Sequence, residues 1–261
     1  MTRTPCMRRL ALVLACCCPP LLAADLTFTG YARSLDGGEL LYVETHAVAD
    51  AGTPRERRVV SYLCGDGELT FARKTIDYAA NRLAPAFVLD DARGGVIEGL
   101  ERKDGLAIVF ARGRAAGAEH REKALPATAA LVADAGFDEL VRARWDTLAR
   151  GDDVVVPFLV PSRLETLKFR IRRTGAVAID GAAATVFRLS LAGPLGWFVP
   201  DIDVTYRDAD RRLLRYRGTT NIRDATGEMI AAQIDFPDAA RSDAPVDLEA
   251  LRARPLVTRC R

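Results

Sequence analysis

Apolar and polar residues alternate along most of this chain. Over 26–33, Leu26, Phe28, Gly30 and Ala32 fall on one face, and Thr27, Thr29, Tyr31 and Arg33 on the other. That period of two marks a strand with one buried side. Asp36-Gly37-Gly38 makes a turn, and 39–48 is the returning strand. The pattern repeats around Gly65-Asp66-Gly67, which joins 57–64 to 68–78, and further strands are expected at 85–90, 95–102 and 106–113. In the second half Leu167, Phe169 and Ile171 oppose Lys168, Arg170 and Arg172, and Asp180-Gly181 turns the chain. Phe187, Leu189 and Leu191 then oppose Arg188 and Ser190, while Ile202, Val204 and Tyr206 oppose Asp203, Thr205 and Arg207. Residues 212–222 return, 224–227 turn, and Ile230, Ala232, Ile234 and Phe236 close the series. Short connections between such strands mean antiparallel meanders.

One segment keeps a different period. Phe137, Leu140, Val141, Trp145 and Leu148 are spaced as one stripe of an α-helix, with Asp134 placed to cap its start and Gly151 to end it. A lone amphipathic helix among strands must bury its stripe against a sheet. The expected fold is therefore mainly β (α+β): a large curved antiparallel sheet or open half-barrel, with one helix at about 135–150 packed on its concave face. Residues 25–240 form a single β-rich domain, and 241–261 a tail with a short helix at about 247–254.

The first 24 residues read as a secretory signal. Arg3, Arg8 and Arg9 precede an apolar run from Leu10 to Leu22, followed by Ala23 and Ala24. The run is shorter than the ~20 apolar residues a membrane-spanning helix needs, and Pro19 and Pro20 interrupt it. Val13-Leu14-Ala15-Cys16 also resembles the lipobox of bacterial lipoproteins, which would put an anchor on Cys16, although Leu14 is larger than usual for that motif. Otherwise the cysteines simply sit within an apolar centre.

Removing the signal changes the balance of charge and thiols. Three of the chain's 37 Lys+Arg lie in it, and none of its 35 Asp+Glu, so the mature chain carries a formal −1. No basic domain remains to favour a nucleic-acid partner. Of six cysteines only Cys64 and Cys260 are left. In an oxidising compartment they can pair, closing a loop that contributes up to about 5 kcal/mol by chain entropy. The alternative is a buried Cys64 thiol and a frayed Cys260.

The search for catalytic motifs is negative: G-x-S-x-G, H-E-x-x-H, G-x-x-x-x-G-K and C-x-x-C are all missing. Two histidines exclude a multi-histidine metal centre. His46 shares a strand face with Tyr42 and Glu44, opposite Leu41, Val43 and Ala47. It is either a general base oriented by a carboxylate or a surface histidine in a polar row. His120 lies in the charged stretch 119–123, read as a loop. Asp201, Asp203, Asp208 and Asp210 suggest calcium, but their spacing fits turn chemistry.

Two surfaces remain. Lys168, Arg170, Arg172, Arg188 and Arg207 all point to the non-core side of their strands. They either gather into a patch for phosphate or lipid headgroups or pair across strands with acids. The proline-bounded stretches 157–161 and 193–200 are apolar, and their prolines argue against central strands. With the helix as lid, Trp145, Leu148, Phe158, Trp197 and Phe198 would line the mouth of an apolar cavity, or else plug the barrel as ordinary core.

Gly38-Glu-Leu-Leu-Tyr-Val-Glu-Thr-His46, Asp134-Ala-Gly-Phe-Asp-Glu-Leu-Val141, Arg212-Leu-Leu-Arg-Tyr-Arg-Gly218 and Asn221-Ile-Arg-Asp224 together resemble a group of exported Gram-negative bacterial proteins of unknown function. The resemblance implies export and brings no activity. More distantly, the strand-turn-strand ending is similar in shape to lipoprotein-carrier-type β half-barrels, which cover a greasy cavity with helical lids, and fold analogy does not establish function. The expectation is a periplasmic or secreted, non-enzymatic envelope protein, without cofactor, metal or membrane span, holding an apolar or lipid-like ligand between sheet and helix. The alternatives are a structural or envelope-assembly protein with a fully packed core, partnered by another envelope protein, and a hydrolase using His46.

Overall fold

The computed structural model describes residues 24–115, 117–126, 130–193, 196 and 199–260. The leader with Cys16, and Trp197 and Phe198, lie outside the described residues. A first meander runs β1 (Ala24–Ser34), β2 (Leu40–Ala51), β3 (Arg57–Leu63), β4 (Thr70–Asp77), β5 (Ala86–Asp91), β6 (Val96–Lys103), β7 (Leu106–Gly113) and β8 (His120–Leu125). A crossover carries α1 (Gly136–Ala143) and α2 (Trp145–Ala149). The second meander is β9 (Val154–Val160), β10 (Glu165–Ile179), β11 (Ala182–Leu191), β12 (Ile202–Arg207), β13 (Leu213–Arg223) and β14 (Met229–Asp235). β15 (Arg241–Ser242) and α3 (Leu248–Ala253) form the tail.

All of this is one antiparallel 15-stranded sheet, ordered β8 to β1 and then β14 back to β9, with β15 beside β1. The two meanders meet at a single seam, where Ala32 faces Ile234. Turn chemistry sets several hairpins. Asp104-Gly105 and Asp180-Gly181 both have two positive φ angles (51° and 78°, 50° and 79°), the geometry that two-residue hairpins demand and that Asp-Gly supplies. At the seam Gly30 is needed for space, because a Cβ there would collide with Phe236 and Ile234.

The crossover must carry the chain from one outer strand of the sheet to the other, and it does so through the hollow. Val132 bridges to Phe158 on β9, and the Ala133 N–H donates to the Leu83 carbonyl at 2.9 Å. The helical stripe then packs on the inner face of β9–β12. The two ends of the sheet also approach each other, since Arg121 on β8 donates to the Ser162 carbonyl, just past β9, at 3.2 Å. The mainly β architecture with a helical cover in its concavity is therefore present, and among the described residues no helix is long and apolar enough to cross a membrane.

Three local expectations are corrected. The single helix at 135–150 is two, broken at Arg144 (φ −106°, ψ 12°). Asp134 does not cap the helix in the ordinary way, because Ala135 is its N-cap residue and the Asp134 side chain is drawn into an ion pair with Lys74. Gly151 does end it: the Gly151 and Asp152 N–H groups reach back to the Leu148 and Thr147 carbonyls, a Schellman closure at φ 95°. The charged stretch around His120 is strand β8, and the proline-bounded stretch 157–161 contributes most of β9. Both are outermost strands of the path, where charge and proline are tolerated.

The tail closes over the outside. Leu248 on α3 packs on Ala47 and Val59, on the outer face of β2 and β3. The Val257 N–H donates to Thr70 at 2.9 Å, and a Cys64–Cys260 disulfide, spanning 196 residues, fixes the end.

Candidate functional site

The chamber between the sheet and the crossover concentrates the unusual chemistry. Its apolar half was expected. Trp145 stands edge-on to Phe187, with ring centroids 5.3 Å apart, and to Tyr206 at 6.5 Å. Leu148 and Val141 are fully buried. Phe158 sits between Phe137 and Phe169 at 6.3 and 5.7 Å. Trp145 and Leu148 belong to one continuous cluster with Val156, Ile171, Leu189 and Val204, and Phe158 packs against it.

The polar half was not expected. On the inner faces of β2 to β6 stand Glu44, Arg58, Lys74, Asp91 and Glu98, each buried to within 9% exposure. The crossover supplies the counter-charge of Lys74, and the others find their partners on the strands and loops of the sheet. Lys74 Nζ donates to Asp134 Oδ2 at 2.8 Å, and Asn221 on β13 shares that oxygen at 3.2 Å. Arg82 joins Glu139 of α1 to Glu56, both at 2.9 Å, and Arg58 reaches the second Glu56 oxygen at 3.2 Å. On the other side of α1 the Tyr206 hydroxyl donates to Asp138 at 2.6 Å. The start of α1 lies directly on backbone: a Cβ at Gly136 would collide with the Leu83 carbonyl.

These placements move the titrations. Burial pushes the Glu139 carboxyl up, but the guanidinium groups of Arg82, Arg142 and Arg58 outweigh it and hold Glu139 below the usual range. Among the described residues Glu98 pairs with Arg223 alone, at 3.5 Å, and burial raises it. Burial pushes the Tyr78 hydroxyl up to about 12, and burial beside Asp138 raises Tyr206 well above its ordinary value. Tyrosines so raised are neutral hydrogen-bond donors, with no tendency to act as bases.

His46 faces this interior, opposite to the surface row expected for it. The outer face of β2 is covered by the tail at Ala47, so both sides of the strand are buried and alternation alone pointed the wrong way. The His46 ring stacks flat on Phe28 (4.3 Å, 13°) and meets Phe236 edge-on. One ring nitrogen lies 3.0 Å from Glu44. Burial lowers its pKa, against the pull of Glu44, so the ring is neutral. His120 is exposed and pairs with Glu122.

The five cations expected to form a headgroup patch do point outward, and four of them are paired. Arg170 and Arg172 share Asp153. Arg188 makes two bonds to Asp203, at 2.8 and 2.9 Å. Arg207 pairs with Asp238 and Asp210. Lys168 is exposed and has no ion pair among the described residues. The aspartates read for calcium are used in the same way: Asp203 holds Arg188, and Asp208 accepts from Thr185. Among the described residues no group of acids, histidines or cysteines could hold a metal ion. A depression of about 220 Å³ lies beside Arg170 and Ser190, lined also by Leu191, Ala192, Gly193 and Gly196.

Sequence reasoning missed Lys74, Arg82, Asp134, Asp138 and Glu139 as a group. A signal for part of it existed, because Lys74 alternates with Ala72 and Ile76 and therefore shares their buried face.

Comparison with known proteins adds little. No family model matches the chain, and none of the curated proteins compared with it does. Among solved structures it is similar to a DUF1329 family protein from Desulfovibrio piger, with a TM-score of 0.26 and 10% identity over 83% of this chain and 85% of that one. A likeness at that level carries no argument about function.

Proposed function

We propose that this is an exported, non-catalytic protein of the cell envelope that works through its surface, its sheet-and-helix chamber serving as packed core. The observation that carries this reading is how completely the chamber is filled: Val141, Leu148, Phe187 and Tyr206 are all at 0% exposure. Of the charged residues beside them, Lys74 and Arg82 are matched by Asp134 and Glu139 on the crossover, and Arg58 by Glu56. A carrier of apolar ligands needs an apolar hollow; here the hollow is occupied by the protein's own tryptophan and by ion pairs. His46 is sealed by Phe28 and Phe236, which favours a packing role over a hydrolase. The signal-like residues 1–24 and the Cys64–Cys260 bridge, which suits an oxidising compartment, support a periplasmic or secreted location.

One observation favours a second reading. Three of the ties between crossover and sheet are polar (Lys74–Asp134, Arg82–Glu139 and Tyr206–Asp138), and water can replace such ties if the crossover swings away. A lipid-like ligand would then lie on Trp145, Leu148 and Phe158.

Native mass spectrometry of the protein purified from the envelope of producing cells separates the two. The packed-core reading expects the bare polypeptide mass. A lipid adduct that disappears in a folded Trp145→Ala variant overturns it in favour of the carrier.

A further inference from the structure

From the free edge of β10 we infer that the protein self-associates, two copies joining their sheets edge to edge across a twofold axis. β10 runs to Ile179, but its pairing with β9 stops where Ile171 meets Val154. Residues 172–179 therefore have β11 on one side and nothing described on the other. This stretch is open to solvent: Arg172, Arg173, Thr174, Ala176, Val177 and Ala178 are exposed, with Val177 at 45%. A strand edge of this kind is a template for pairing unless charge, proline or a cover protects it. The outer strands have such protection. β8 presents His120-Arg121-Glu122-Lys123, and β9 is bridged by Val132. From Thr174 to Ile179 the β10 edge has no charge and no proline, only small and β-branched side chains.

The charges at its ends select the occupant. Arg172 and Arg173 stand at one end and Asp180 at the other. The pairing of β10 with β11 slips at Thr174, so the regular edge runs from Gly175 to Ile179. An antiparallel copy centred on Ala176 puts Gly175 opposite Val177 and brings each Arg172-Arg173 end towards the second copy's Asp180. No like charges face each other, and the opposite charges meet twice, as a self-complementary isologous contact requires. Contact confined to residues 172–180 of each copy falls short of the roughly 1,000 Å² that marks a stable interface, so the dimer is weak and reversible.

Sedimentation velocity over a range of concentrations tests the inference on the oxidised full domain. The wild type shifts towards a dimer as concentration rises. Ala176→Lys places two ammonium groups face to face on the axis and abolishes the shift, while circular dichroism stays unchanged because the position is exposed. Asp180→Asn keeps the turn and weakens association severalfold. Ala176→Cys crosslinks on mild oxidation, and Ala178→Cys, which lies away from the axis, crosslinks far more slowly. A monomer at every concentration, a dimer indifferent to Ala176→Lys, or crosslinking as fast at 178 as at 176 overturns the inference.

Discussion

The two meanders fold by the same local rules and fill their interiors differently. Under the helices, β9–β12 present Val156, Ile171, Phe187, Leu189 and Val204, and the fit is a matter of shape. On the opposite side, β2–β6 present Glu44, Arg58, Lys74, Asp91 and Glu98, and the fit there is a matter of charge. One crossover serves both, with its hydrophobic stripe on the first surface and Asp134 and Glu139 on the second. Shape complementarity tolerates a near miss at moderate cost, whereas a buried charge that loses its partner is left fully uncompensated. The charged half should therefore be the more brittle.

Lys74→Ala, which strands Asp134, is expected to cost about 3–5 kcal/mol in chemical denaturation. The paired replacement Lys74→Met with Asp134→Asn should recover most of that, because it removes both charges together and Asn suits the left-handed backbone at 134 (φ 45°). If the double variant is no better than the single one, the charged half owes its stability to something other than pairing.

In the apolar half Leu148→Ala is expected to cost about 2–5 kcal/mol, according to how far the site collapses. It should leave the pH dependence of stability unchanged.

pH sharpens the contrast. His46 is lowered by burial in the folded state, so the unfolded chain takes up a proton there first. The stability it contributes is complete above about pH 6.5, its unfolded value, and is lost as pH falls through the folded value. Glu139, also lowered, adds a loss in the same direction below the ordinary carboxylate range. Glu98, which is raised, acts oppositely: the stability it contributes is present below its unfolded value and lost as pH rises through the folded one. Between about pH 6.5 and 5 the His46 contribution changes by at most about 1.4 kcal/mol per unit. His46→Phe, which keeps the stack on Phe28, should flatten urea-denaturation stability across that window. An unchanged slope means the ring is not the group that titrates.

The smallest effect belongs to the outer face. Arg188→Ala removes a half-exposed pair with Asp203 and is expected to cost about 0.2–1 kcal/mol, and raising the salt concentration should shrink the difference further.

The apolar half was legible in the sequence, because Phe137, Leu140, Trp145 and Leu148 announce a helical stripe and Phe187 and Leu189 announce the face that receives it. The charged half was much less so. Reading strands by polarity assumes that polar means outside, and that assumption turned Tyr42, Glu44 and His46 outward. The register of a strand against its neighbours decides such cases: once Val60 and Tyr62 are placed inside, their cross-strand partners His46 and Glu44 follow. Pro157 was a sounder guide, since it removes a central position from a strand's options, and β9 is at the outside. Asp134 looked like a cap because nothing local reveals that Lys74, sixty residues earlier, competes for its carboxylate.

The seam between β1 and β14 sets the order in which the molecule can assemble. Each meander can grow from neighbours in sequence, but Tyr31 finds Asp235 only by closing almost the entire chain, the slowest kind of contact to form. Until that happens β1 is itself a bare border. The finished protein's central strand is, for most of its folding, the place most exposed to wrong partners.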